Sequence, residues 1–221
     1  MMTDLDFRPL LLSLKVSTLA TFFIILIGTP IGFVLARAKF KGKSILDSLF
    51  TLPLVLPPTV LGYYLLVAIG RQSPLGKLLE NQFGINLVFT WQAAVIAAFF
   101  TSFPLLVRSA KAAFAAIDPN MENAARTLGR SELSIFFTVT IPLAWKGLMA
   151  GVVLAFARAL GDFGTTMMVA GNIPGKTQTM PIAIYDAVIA GNTGQANVLV
   201  LVMTLTAIII IIVLNTVEQK Y

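Results

Sequence analysis

The sequence predicts an all-α integral membrane protein of about five transmembrane helices with a cytoplasmic two-helix loop. Three observations carry the prediction. The chain is 57% hydrophobic and only 12% charged, with a mean hydropathy of +0.87, values outside the range of soluble domains. Its apolar residues gather into uncharged runs long enough to cross a bilayer. The longest polar interruption, Asp118–Pro142, has helix start and stop marks of its own.

The first run, Val16–Ala36, is long for a cleaved signal peptide and has no small-x-small site before a mature start, so it reads as an uncleaved span. Before it lies a short mixed segment with Asp4, Asp6, Arg8 and Lys15. After it come Arg37, Lys39, Lys41 and Lys43, a basic loop that the positive-inside rule assigns to the cytoplasm, with the N-terminus outside. The second run, Leu49–Ile69, contains Pro53, Pro57 and Pro58. Each lacks a backbone donor, so a broken or bent entry is expected. Carbonyls freed at that depth are tolerated only against protein or a water-lined path, and the two readings stand side by side.

Arg71–Asn86 is a polar external loop, and Val88–Val107 is the third run, closed by Arg108 and Lys111. The fourth, about 147–170, holds Arg158 and Asp162 four residues apart, on one helix face and within reach of each other. Such a pair either pins helices together or lines a path in which Arg158 offers positive potential to an anion. Gly164 and Thr165 follow on the same stretch, small residues suited to helix–helix contact. Pro181–Ala190 is too short to span and reads as re-entrant or interfacial, with Asp186 exposed. The last run is 198–214, and the tail Glu218–Tyr221 falls inside. The whole chain, 1–221, is read as one membrane domain. Of its 16 Lys and Arg, most fall on the proposed cytoplasmic side, with Arg158 within the membrane.

Several function classes are excluded by composition. The +6 net charge has no basic stripe with interleaved aromatics, so nucleic acid is not expected as a partner. With no Cys and no His, thiolate chemistry, most transition-metal sites and the commonest general base are absent. There is no phosphate-binding glycine loop and no pair of carboxylates at catalytic spacing, so neither a catalytic residue, a metal nor a cofactor is expected. No internal repeat suggests the inverted halves of a secondary transporter. A solute moved uphill by this chain takes its energy from a partner. A passive channel or carrier would instead work at Arg158 and Asp162, and a membrane-embedded enzyme would have to bring Asp162 and Asp186 together.

Asp118–Pro142 decides between these. Asp118 can N-cap a helix with Pro119 first and Glu122 in the opening turn, and Gly129 can close it. Ser131 can cap a second helix that Pro142 limits. The element is either an interfacial connector or a docking site, in which the small Ala124–Ala125 face allows close approach beside Arg126 and Arg130. The run Asn123-Ala124-Ala125, Gly129, Val139, Ile141, Pro142 resembles the cytoplasmic EAA loop of binding-protein-dependent ABC importer permeases. It departs from that family's pattern at Asn123, where the usual residue is Glu; Glu122 comes one position early. The proline-rich entry of the second run looks like that of molybdate-type permeases. So does the stretch from Ala157-Arg158 through Asn172-Ile173-Pro174-Gly175 to Met180-Pro181 and Ile184-Tyr185.

The resemblance implies a type I ABC importer permease fold in a bacterial or archaeal inner membrane. It implies coupling to an ATPase through Glu122, Asn123, Ala124, Ala125, Arg126, Gly129 and Pro142, and a path near Arg158, Asp162, Gly164 and Thr165. The implied partners are a cytoplasmic ATP-binding subunit, an extracytoplasmic oxyanion-binding protein and surrounding membrane lipid. The implied substrate is a tetrahedral oxyanion, molybdate or tungstate. Five spans are few to enclose a path, which points to a homodimer with the pathway on its two-fold axis.

Overall fold

Proline and glycine set where the long helices of this chain bend and stop. The computed structural model describes residues 6–219, so Asp4, Lys220 and Tyr221 lie outside the described residues. Helix α1 (Arg8–Arg37) begins with Pro9 in its first turn and carries Pro30 inside. It starts well before the predicted span, so Arg8 and Lys15 belong to the helix rather than to a polar lead-in. Lys15 is accommodated because its Nζ lies 3.5 Å from the centroid of the Trp91 ring, a cation–π contact that lets the aliphatic stem cover apolar surface.

Helices α2 (Lys43–Val55) and α3 (Pro58–Ile69) form one broken element with a 115° bend. Leu56 and Pro57 both adopt extended backbone, with ψ of 138° and 139°, because a residue preceding proline is driven out of the helical region. Pro53 sits inside α2 without ending it. Helix α4 (Pro74–Phe83) occupies most of the predicted external loop, capped by Ser73 Oγ, which accepts from the Gly76 N–H at 2.8 Å. Helix α5 (Trp91–Ala115) is longer than the predicted third span and is capped by Thr90.

Next come the short helices α6 (Pro119–Thr127) and α7 (Glu132–Ile135). The sequence places the end of the second short helix at Pro142, and the structure corrects this. A π-helical turn, Phe136–Thr140, carries α7 straight into α8 (Ile141–Leu160). In this turn the Ile141 N–H donates to Phe136 O, five residues back. The hydrogen-bond ladder has thus widened just where Pro142 offers no donor, and the proline passes without a break. The predicted fourth span is also divided: α8 ends at Leu160, and after three residues α9 (Gly164–Ala170) begins. Helices α10 (Met180–Ile189) and α11 (Thr193–Gln219) complete the chain.

Among the described residues, Arg8–Arg37, Trp91–Ala115, Glu132–Leu160 and Thr193–Leu214 are each long and apolar enough to cross a membrane; the α2–α3 pair adds a fifth if counted as one span. Helices α1, α5 and α8 form the centre. Ile24, Leu35, Phe103, Leu106, Val107 and Ala155 pack there with little or no exposure. One layer away, the alanines 93, 94, 97 and 98 of α5 meet Val16 of α1, Leu65 of α3 and Val169 of α9. Small side chains let the helix backbones approach closely, the main source of packing energy where lipid removes the hydrophobic drive. Nearer the two-helix loop, Phe33, Phe114 and Phe136 stack edge-on and tilted with centroids 5.0–6.3 Å apart. They join α1, α5 and the π turn into one rigid base.

Candidate functional site: the two-helix loop and the break after α8

The two-helix loop is built from its caps. Asp118 Oδ1 accepts from the Asn120 N–H at 2.9 Å and opens α6. Gly129 closes it with φ +75°, donating its N–H to Arg126 O at 2.9 Å; a β-carbon is disfavoured in this left-handed backbone. Ser131 Oγ then accepts from the Ser134 N–H and opens α7. Arg126 bridges the two helices, donating from Nε and Nη2 to the Glu132 carboxylate at 2.6 and 2.9 Å and from Nη1 to Asn123 Oδ1 at 2.8 Å. The Glu132 hydrogen bonds are the main cause of an upward shift in the guanidinium pKa, so Arg126 stays charged. Asn123 and Arg126 therefore shape the loop from within. Ala124 is exposed and Ala125 half-buried, and beside them Met121, Leu128, Leu133 and Phe137 expose 57–82% of their surface. This loop displays an apolar face on a polar frame.

Glu122 points the other way. It is buried, and its Oε1 accepts from Arg37 Nη2 at 2.9 Å and from Thr140 Oγ1 at 2.9 Å. One carboxylate thus ties the loop to the end of α1 and to the π turn. Sequence reasoning placed Glu122 in the helix dipole and Arg37 in a topogenic basic cluster, and missed the pairing. The available signal was slight: α1 ends on a basic residue, Arg37, and α6 has an acidic one, Glu122, in its first turn.

At the far end of α8, Arg158 Nη1 and Asp162 Oδ1 are 3.4 Å apart, so the sequence pairing is present, but it is the weaker of the contacts Asp162 makes. Its Oδ2 accepts from the Thr166 N–H at 3.0 Å and from Thr166 Oγ1 at 2.7 Å, which anchors the start of α9. Thr165 is fully buried and donates to the carbonyl of Pro58 at 3.3 Å, which binds α9 to α3. Gly164 lies against Pro58, and a β-carbon there would come within 2.9 Å of the proline ring. Arg158 is the more exposed member of the pair, with 35% of its side chain exposed against 1% for Asp162. Asp162→Ala should therefore destabilise the fold by about 2 kcal/mol through the unpaired Thr166 donors, and Arg158→Ala by much less. Thermal unfolding of the two variants in detergent checks this; equal losses would make the ion pair, not the cap, the principal contact.

Asp186 corrects its expectation. It is half-buried, and its Oδ2 accepts from Asn172 Nδ2 at 2.6 Å and Gln178 Nε2 at 2.8 Å. These bonds hold the 171–179 connection onto α10, so the residue is structural rather than a solvated carboxylate.

The described residues contain no group of three or more acidic side chains that would hold a metal ion. Comparison with known proteins gives the arrangement a context. Residues 28–219 match the family model described as binding-protein-dependent transport system inner membrane component. The chain is 45% identical over 213 residues to the molybdenum transport system permease protein ModB of Escherichia coli (strain K12), covering 96% of this chain and 93% of that one. It is 39% identical over 196 residues to ModB of Azotobacter vinelandii, covering 89% and 87%. In fold it is similar to a chain of the MetNI methionine ABC transporter in an inward-facing conformation, with TM-score 0.78 over 99% of both chains at 17% identity. It is also similar to a chain of a bacterial ABC transporter that imports alginate, with TM-score 0.80 over 99% of this chain and 80% of that one at 12% identity. The helix–glycine–helix loop, the broken second element and the sequence match together show that this chain belongs to the binding-protein-dependent transport system inner membrane components, the permease subunits of ABC importers.

Proposed function

We propose that this chain is the membrane-spanning subunit of an importer for a tetrahedral oxyanion, molybdate or tungstate, driven by ATP hydrolysis in a separate subunit. The observation that carries this reading is the loop of α6 and α7. It presents Met121, Leu128, Leu133 and Phe137 outward while Glu122 fastens its inner side to α1 and to the π turn that leads into α8. A surface that is apolar outside and bolted inside suits a docking element that passes displacement to the membrane helices rather than absorbing it. The choice of oxyanion is supported by the relatives, whose names give molybdenum transport.

In this reading the loop lies in the cytoplasm, the N-terminus outside and the C-terminus inside. The spans are 16–36, 49–69, 88–107, 147–170 and 198–214, extended or interrupted as the helices above describe. Glu122, Asn123, Ala124, Ala125, Arg126, Gly129 and Pro142 form and hold the ATPase-coupling element. Two copies of the chain enclose the path. Arg158 is the cation toward the path, and Asp162, Gly164 and Thr165 hold α9 in position beside it. An extracytoplasmic binding protein delivers the anion to the outer mouth.

Co-purification from the native membrane tests the reading. Wild type should bring down an ATP-binding subunit, and Gly129→Pro should lose it, since proline cannot adopt φ +75° and removes the N–H that bonds Arg126 O. Association should fall about tenfold or more while the helices still insert, as judged by protein in the membrane fraction. If wild type associates with no ATP-binding subunit, the importer reading is wrong.

A further inference from the structure

We propose that the cavity between α2 and α5 is a second oxyanion site, at the inner mouth, which holds the anion before it is released. The inference rests on the importer reading and its topology. The cavity measures about 530 Å³, within the range of small-ligand sites. Its polar lining is Asp47, Ser48, Thr51, Arg108 and Lys111, and Leu52 and Val55 supply apolar wall. Lys111 Nζ meets Asp47 Oδ2 at 2.7 Å, and each side chain is about one-third exposed. That pair cancels its own charge, so Asp47 does not repel an anion.

Arg108 is different. It is exposed and makes no ion pair or hydrogen bond through its side chain among the described residues. One uncompensated guanidinium therefore faces a cavity with partly apolar walls, where a field is focused rather than screened. Its planar fork matches two oxygens of a tetrahedral oxyanion, which a point-charged ammonium matches less well.

Position adds to chemistry. Helix α2 starts six residues after α1 ends, and α5 ends four residues before α6 begins. The mouth of the cavity is therefore on the membrane side of the two-helix loop. Arg158 lies 17 residues into α8, roughly 25 Å along the helix from that side. Arg108 and Arg158 thus stand at two different depths along the helices, one toward each half of the proposed path. Helix α2 buries none of its residues and meets α5 through the Lys111–Asp47 bridge and the Phe50–Phe103 ring contact, with centroids 5.8 Å apart.

A phosphate headgroup of an anionic phospholipid offers the same chemistry as the free anion, and the test separates them. The assembled permease–ATPase complex is placed in nanodiscs of phosphatidylcholine alone, and labelled molybdate binding is measured by equilibrium dialysis without binding protein. Wild type should show weak saturable binding competed by sulfate and not by chloride. Arg108→Gln should weaken it about tenfold, and Arg108→Lys should fall between wild type and Arg108→Gln, because an ammonium keeps the charge but not the fork. In proteoliposomes with binding protein, Arg108→Gln should lower molybdate uptake while stimulated ATP hydrolysis continues. Wild-type binding by Arg108→Gln overturns the proposal. So does an Arg108-dependent enrichment of phosphatidylglycerol with no molybdate bound, which would make this a lipid site. Failure of the importer reading is distinct: wild-type proteoliposomes would then take up no molybdate, whatever Arg108 binds.

Discussion

Glu122→Ala should destabilise the protein by about 3 kcal/mol and uncouple it. The carboxylate is 8% exposed and accepts from both Arg37 and Thr140. Its removal leaves a half-buried guanidinium and a buried hydroxyl without their acceptor, and breaking one side of a buried ion pair costs far more than the pair itself contributes. The chain has two tryptophans and no cysteine, so unfolding in detergent is best followed by intrinsic fluorescence. With the ATP-binding subunit bound, Glu122→Ala should still hydrolyse ATP, because the exposed face of the loop is unchanged. Uptake should fall, because α1 no longer follows the loop and α6 is released from the π turn. Arg37→Ala should act in the same direction, and the double variant should lose much less than the sum of the two. Strict additivity would mean that the two residues act independently and that the loop is held by its aromatic base alone.

Gly32→Leu should have an effect of similar size by a different route. A β-carbon at Gly32 would sit 2.5 Å from Ala110 Cβ, 3.1 Å from Lys111 N and 3.2 Å from Val107 O. Two of those neighbours are backbone atoms of α5 and cannot rotate away, so α1 and α5 would have to part along their most extensive contact. Overpacking of this kind costs about 3 kcal/mol, a large share of a typical folding free energy, and should lower the yield of well-folded protein. The check is the monodisperse fraction on size-exclusion chromatography, set beside Val34→Leu on the exposed side of the same helix. An unchanged profile for Gly32→Leu would mean that the α1–α5 contact is looser than its geometry.

The contrast between these sites explains how much of the molecule was legible in sequence. Caps and breaks were, because they are local. Asp118, Gly129 and Ser131 act on neighbours within four residues, and Leu56 is extended because the next residue is a proline. The all-helical membrane fold follows from uncharged runs, which need no partner to be recognised. What escaped was long-range or depended on register. Arg37 and Glu122 are 85 residues apart, and nothing in either neighbourhood names the other. The spacing of Arg158 and Asp162 announced a pair, and they do meet; but Thr166, equally four residues along, binds the carboxylate more closely, and a hydroxyl attracts less notice than a charge. Pro142 misled because a proline ends an α-helix unless the ladder has already widened ahead of it, a property of hydrogen bonding that no residue type displays.

That widened turn also preserves an angle. Five residues in Phe136–Thr140 fill a turn that α geometry would complete with fewer. The extra residue is taken up within the turn, so the helix on either side keeps its face, and Met121, Leu128 and Leu133 point nearly as they would from an uninterrupted helix one residue shorter. One residue added or removed within the regular part of α8 would instead turn everything on its N-terminal side by about 100°. The aim of the loop is thus set by the register of α8 and not by the length of the wide turn. A loop transplanted between two transporters would arrive correctly aimed with or without its wide turn, provided the junction kept α8 in register.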